Sequence, residues 1–346
     1  MHDPSAILPR PAARPLAVWL LCVAAMVAIM VALGGLTRLT GSGLSMVEWN
    51  PHHLLPPLSD AQWHEAFALY RQSPEYRLVN AGLDVAGFKS IFWLEYVHRL
   101  WGRLIGLAFA LPLAVFVVRR AVTRRLALRL GMILALGGLQ GAAGWFMVAS
   151  GLADQPQVSH FRLALHLVLA LVILAALLWT ALDLLVPAAA PTTDARAARR
   201  LLDGLMALTL VAITWGAFVA GLHAGHLHNT FPLMDGALFP PEGLALRPRW
   251  LNAVENPSAV QYVHRVLALT VLACLTLAAL WSRHARLPAG LSRRMTIAAA
   301  AAWVQVGLGI VTLVMAVPVA AAAAHQMAAV TLFALLTWAR HGVRSG

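Results

Sequence analysis

Apolar runs near the ~20 residues needed to cross a bilayer recur along the chain with short polar interruptions. They fall at about 16–37, 91–118, 127–149, 161–186, 201–222, 259–281, 295–317 and 320–338. The pattern predicts an all-α polytopic membrane protein with eight transmembrane helices. The first run sits where a signal peptide would. Its length, and the likeness of its end to the end of the fifth run, predict a retained helix. Two polar stretches are long, 38–90 and 223–258, and by the alternation of helices both lie on one side. In the first, Ser59 and Gln62 form a capping-box pattern. Trp63, Phe67 and Tyr70 follow at helical spacing, which suits a helix that packs on the bundle, lies over a site or rests on the membrane surface.

Composition agrees. Of 346 residues, 60% are hydrophobic and 12% charged, against roughly 25% charged in soluble domains. The net charge of +12 would suggest nucleic acid if it were not so unevenly placed. Basic residues precede the first helix (Arg10, Arg14), fill the short links (for example Arg119, Arg120, Arg196, Arg199, Arg283 and Arg286) and close the chain (Arg340, Arg344). The long loops hold few of them and most of the acids. This is the positive-inside bias. It predicts cytoplasmic termini, outward-facing long loops and no nucleic-acid partner. Cys22 and Cys274 both lie inside apolar runs and form neither a metal motif nor a disulfide framework.

The chain reads as one four-helix unit used twice. EYVHR (95–99) returns as QYVHR (261–265), and QGAAGW from Gln140 is echoed by QVGLGI from Gln305. Each half then places a histidine in its last helix, His166 and His325. More loosely, GGLTRLTGSG (34–43) rhymes with GAFVAGLHAG (216–225). An even number of helices per unit gives both halves the same orientation, related by an axis along the membrane normal. The expected division is 1–190 and 191–346, two pseudo-twofold-related four-helix bundles joined through the linker 187–200.

Four histidines stand at one depth near the outer face, two per half: His98 with His166, and His264 with His325. Ionisable groups at membrane depth default to a functional role, and facing helices of a bundle are where cofactor sites are built. Zinc or copper would need further ligands, and none recurs in both halves. Two facing imidazoles fit axial ligation of haem iron. Small residues four positions on (Gly102, Ala170, Ala268, Ala329) would give a macrocycle clearance. Arg99 and Arg265 suit haem propionates or lipid headgroups. His160 is the main rival ligand, and His223, His226 and His228 cluster after the fifth helix.

The one letter that separates the pentapeptides exchanges Glu95 for Gln261. Glu95 lies three residues before His98 on the same helix face. A carboxylate there could move a proton or stabilise developing positive charge, as an amide cannot. The alternative is a structural ion pair with a nearby arginine. On the first reading, the first half reacts and the second relays electrons.

GGLTRLTGSGLS (34–45), FWLEYVHRLWGRLIGL (92–107), QGAAGWFMVASGL (140–152), NTFPLMDG (229–236), YVHR (262–265), QVGLGI (305–310) and HQ (325–326) together resemble the heme A synthase family over essentially the whole chain. The resemblance implies an oxidoreductase of the bacterial inner membrane. Such a protein converts haem O to haem A by oxidising a porphyrin methyl to a formyl group, through successive hydroxylations. It implies haem O between His98 and His166, haem b between His264 and His325, and Glu95 as the catalytic carboxylate. Partnership with the haem O-making farnesyltransferase and oxidase assembly factors, and homo-oligomers, are implied by the family alone. GxxxG at Gly102 and Gly106 could serve helix contacts. The chain departs from some members in lacking a cysteine pair in the first outer loop, and has His223 where Lys or Arg is expected. The rival reading is a dihaem b-type electron-transfer membrane protein. The sequence does not name the electron donor.

Overall fold

The computed structural model describes residues 10–48, 55–153, 155–186, 194–288 and 290–343. His2, His52, His53, Arg344 and linker residues 187–193 lie outside the described residues. Eight helices among the described residues are long and apolar enough to span a membrane. They are α1 (Arg10–Leu39), α4 (Val85–Val118), α5 (Arg124–Ala149), α6 (His160–Leu185), α7 (Ala195–Gly221), α9 (Pro257–Ser282), α10 (Leu291–Val314) and α11 (Val319–His341). Short helices α2 (Asp60–Tyr70), α3 (Pro74–Leu78) and α8 (Asn252–Glu255) lie in the long loops. No strand occurs among the described residues; their backbone polar groups are largely satisfied within helices, as hydrocarbon requires. The predicted all-α polytopic class is the observed one.

Local chemistry sets the ends. Asp84, Thr123 and Asn256 cap α4, α5 and α9 by accepting from backbone N–H groups two or three residues on. The Asp84 cap starts α4 six residues before the apolar run at 91, so its first turns project past the membrane span. The Ser59–Gln62 capping box is present in both directions. The aromatic stripe of α2 packs on these projecting turns: Trp63 and Tyr70 are buried with Phe88, Phe92 and Tyr96 of α4.

Within 10–185 the helices neighbour one another in the closed order α1–α4–α5–α6, and within 195–341 in the order α7–α9–α10–α11. The two rings meet through α6 against α7 and α11, and through α1 against α11. The core is continuous across this seam, since Val330 and Phe333 of α11 belong to the apolar cluster of α1 and α6. Gln326 of α11 donates to Val31 O of α1 at 2.7 Å. At the short-link end Asp183 of α6 accepts from Arg129 of α5 at 2.6 Å and pairs with His341 of α11 at 3.0 Å.

The first long loop holds a buried acid, Glu75 of α3. Its carboxylate accepts from the phenol of the fully buried Tyr70 at 3.0 Å, which accepts in turn from Asn80 at 2.8 Å. Burial, with the Glu95 carboxylate adding in the same direction, raises the Glu75 pKa from 4.5 to about 7. The folded loop then holds a proton that the unfolded loop releases at lower pH. Its stability is therefore greatest at acid pH, falls as pH rises between 4.5 and about 7, and levels off above. Hydrogen-exchange protection of α2 and α3, relative to the intrinsic rate at each pH, should fall about tenfold or more across that window, and Glu75→Gln should flatten the dependence.

Candidate haem-binding site

All four histidines lie near the long-loop end of their helices. In each case the imidazole edge rests on a glycine of a neighbouring helix. A Cβ on Gly34, Gly144, Gly216 or Gly309 would come within 3.1, 3.0, 3.0 and 2.8 Å of Cε1 of His98, His166, His264 and His325 respectively. These glycines were in view within the sequence motifs: Gly34 and Gly216 open the rhyming stretches, and Gly144 and Gly309 each follow the motif glutamine by four. Their role was missed because helix-to-helix contact is not a property of either motif. Two of the small residues that follow the histidines by four are taken up by other contacts. Gly102 instead packs toward Met30 of α1, and Ala170 is buried in the core.

In the second half the two rings face each other at 6.5 Å between centroids, with planes at 88°. Two imidazoles that ligate one metal through nitrogens at about 2 Å stand roughly 6 Å apart centre to centre. His264 Nδ1 lies 3.1 Å from Ala212 O, and His325 Nδ1 lies 3.1 Å from Gln305 O. An Nδ1–H donated to a carbonyl leaves Nε2 as a lone pair, the form in which imidazole binds a metal. Among the described residues no third His, Cys, Asp or Glu joins a metal-binding cluster. The donor set therefore fits an iron whose equatorial ligands come from a macrocycle. In the first half His98 and His166 are within electrostatic range of each other. Gln140 Nε2 donates to His166 O at 3.1 Å, and both Nδ1 atoms are buried without a hydrogen-bond partner.

Glu95 is buried and held from three sides. Ser45 Oγ and Met46 N–H donate to one carboxylate oxygen at 2.7 and 2.9 Å, and Arg99 donates to the other at 2.5 Å. The ion pair that sequence reasoning held open as the alternative role of Glu95 is thus formed. Gln261 is placed the same way with opposite needs. Its oxygen accepts from Arg265 at 3.2 Å, while its NH2 donates to Ala224 O at 2.9 Å. The first loop presents donors and is met by two oxygens; the second presents a carbonyl and is met by an amide. Each side chain thus matches the polarity of the loop it meets.

Arg99 and Arg265 bind their loops as well. Arg99 donates to Met46 O and Glu48 O, and Arg265 to His228 O and Thr230 O. Buried Arg265 Nε has no partner among the described residues. His160 does not point toward His166's partner. Its Nε2 lies 2.9 Å from Val254 O, and its ring packs on Phe161 and Phe218. The three histidines after α7 diverge. His223 Nε2 accepts from Arg38 at 3.0 Å, with burial and that guanidinium pushing its pKa below the usual range. His226 is exposed. His228 lies between Asp235 at 2.7 Å and Ser258 at 3.0 Å, with Glu242 at 3.1 Å, and holds Asp235 below the usual carboxylate range. NTFPLMDG folds this loop: Asn229 donates to Leu313 O of α10, and Asp235 N–H to Thr230 Oγ1.

Fold and site together define a polytopic helical membrane protein with paired intramembrane histidines. Residues 17–337 match the cytochrome oxidase assembly protein family, and the chain belongs to it. It is 50% identical over 347 residues to a heme A synthase of Rhodospirillum centenum, covering 99% of this chain and 92% of that protein. Heme A synthases of Nitrosospira multiformis and Paramagnetospirillum magneticum are 45% and 47% identical, over 96% and 95% of this chain and 94% and 93% of theirs.

The two loop clasps differ in charge, and their arginines should differ in worth. Arg99→Ala leaves the Glu95 carboxylate buried without its cation, at a cost of about 3–5 kcal/mol. Arg265→Ala leaves neutral acceptors unpaired, for about 1–3 kcal/mol. Thermal unfolding in detergent should rank the variants in that order.

Proposed function

We propose that this protein is a heme A synthase, which oxidises a porphyrin methyl group of haem O to a formyl group. Similarity to heme A synthases over nearly the whole chain supports this reading. The observation that carries it is the facing pair His264 and His325 beside a first half that keeps two histidines and adds a buried carboxylate.

On this reading the halves are pseudo-twofold-related bundles that divide the labour. His264 and His325 hold haem b, with Nδ1 of each tied to a backbone carbonyl so that Nε2 is presented. A haem b held there would supply one-electron redox chemistry. His98 and His166 hold the substrate, haem O. Gly34 and Gly144 let these imidazoles lie against α1 and α5, where a Cβ would crowd Cε1. Glu95, one turn from His98, is the catalytic carboxylate. Its position is fixed by Ser45, Met46 and Arg99, so a substrate carbon that gains positive charge at that edge meets a fixed negative group. Helix α2 of the first loop packs on the outer turns of α4 that lead to this carboxylate. Arg99 and Arg265 would be the partners of the propionates; the unpartnered Arg265 Nε supports that role for the second. Both termini are cytoplasmic and the long loops face outward, in keeping with the charge bias. The haem O-making farnesyltransferase and oxidase assembly factors are the partners this role implies, with homo-oligomers in the membrane.

Haems extracted from cells that make haem O, with and without the protein, test the reading by chromatography. Wild type should yield haem A. Glu95→Gln should abolish it, by about 100-fold or more, while keeping haem b. Because the amide also mismatches the Ser45 and Met46 donors, Ser45→Ala is the needed companion. It should loosen the loop yet retain most activity. Haem O left untouched by wild type that carries two b-type haems would favour the dihaem electron carrier instead.

A further inference from the structure

Helices α2 and α3 border an open cleft of about 510 Å³, lined by Ala68, Arg71, Gln72, Tyr76, Arg77 and Ala81. Two arginines face it and no acid does. Neither guanidinium has a hydrogen-bond or ion-pair partner among the described residues. The guanidinium carbon of Arg71 lies 6.0 Å from the ring centre of Phe67 and 5.8 Å from that of Tyr76, and the two rings stand at 83° to each other. These rings hold the cation in place while its N–H donors are left without an oxygen acceptor. The nearby acids are engaged elsewhere. Glu75 turns inward to the Tyr70 phenol, and Asp60 lies 3.9 Å from Lys89.

The depth of the cleft narrows the choice of anion. Phe67, which holds Arg71, packs on Phe88 of α4, as does Tyr70. Phe88 stands three residues before the apolar run that begins at 91, about 4.5 Å further out along the helix axis. The headgroup layer of a bilayer is about 5–8 Å deep on each side, so the cleft opens at the level of lipid phosphates. Charge bias does not call for arginines on this face, since basic residues are favoured at the opposite one. Leu78 and Val79 directly follow Arg77 and are 68% and 67% exposed. A lipid offers these side chains apolar contact, which a free inorganic anion cannot.

We propose that the cleft between α2 and α3 binds the phosphate of an anionic phospholipid of the outer leaflet, through Arg71 and Arg77. A guanidinium meets two phosphate oxygens with parallel N–H donors, and the ring contacts of Arg71 reduce the order it must gain on binding. The amide of Gln72 and the phenol of Tyr76 border the same cleft and supply further donors. The bound lipid ties α2 and α3 to the membrane surface beside the turns of α4 that lead to Glu95. The firmness of the first loop thereby depends on the lipid around it as well as on its aromatic core.

Hydrogen exchange of the full chain in nanodiscs tests this, with phosphatidylcholine alone and with about a quarter phosphatidylglycerol. Phosphatidylglycerol should raise the protection of α2 and α3 in wild type about tenfold or more. Arg77→Gln, which leaves the ring contacts of Arg71 in place, should cut that gain about fivefold. Arg71→Ala combined with Arg77→Gln should abolish it. Each variant is compared with itself in phosphatidylcholine, and unchanged protection of α6 shows that the bundle is folded. An anionic surface also lowers the local pH, which favours protonated Glu75, but that effect survives in the arginine variants. A gain that persists in them therefore overturns the proposal, as does wild type that does not respond to phosphatidylglycerol. Equal protection by inorganic phosphate added to phosphatidylcholine nanodiscs would make the cleft a free-anion site and overturn the lipid assignment.

Discussion

The contact on which the arrangement depends is an imidazole edge laid on a glycine of a neighbouring helix, made four times. Histidine is costly at membrane depth, and a ring has room between two helices only where one of them lacks a side chain. Gly34, Gly144, Gly216 and Gly309 provide that room. In the second half the carbonyl four residues before the glycine, Ala212 O or Gln305 O, then takes the Nδ1 proton. Spacing, ring orientation and tautomer follow from the same pair of residues, which is why the glycines recur with the histidines.

A second constraint acts at the long-loop end, where the backbone leaves its helices and its carbonyls and N–H groups need partners near the site. Arg99 and Arg265 take the carbonyls. The residue four before each arginine takes whatever remains, and what remains differs: donors from Ser45 and Met46, a carbonyl from Ala224. Glu95 and Gln261 are matched to those loops as well as to any chemistry. A carboxylate that anchors a loop is also a carboxylate fixed in place, so the structural role of Glu95 is compatible with the catalytic one proposed for it.

The chain forms two four-helix rings, and they differ locally. Helices α4 and α5 carry Gly106, Gly137 and Gly141 where α9 and α10 carry Leu272, Ala302 and Val306. The long loops diverge completely, one built on the aromatic stack of Trp63, Tyr70, Phe88 and Phe92 and the other on hydrogen bonds of Asn229, Asp235 and His228. Burial on α4 holds the first, and the Arg265 clasp holds the second.

The sequence by itself determined the eight spans, because hydrocarbon permits few alternatives to a long apolar helix, and spacing along a helix is fixed by the chain. It determined the capping box at Ser59, the position of each histidine along its helix, and the family likeness carried by motifs such as EYVHR and QGAAGW. Only the tertiary structure decided which groups meet across helices. That His160 turns to Val254, that the histidines after α7 diverge, that Glu95 binds Arg99 and Ser45, and that glycines on other helices cradle the imidazoles are all matters of long-range packing. Such contacts join residues tens to hundreds of positions apart through the rotation of one helix against another, and no local pattern encodes that rotation.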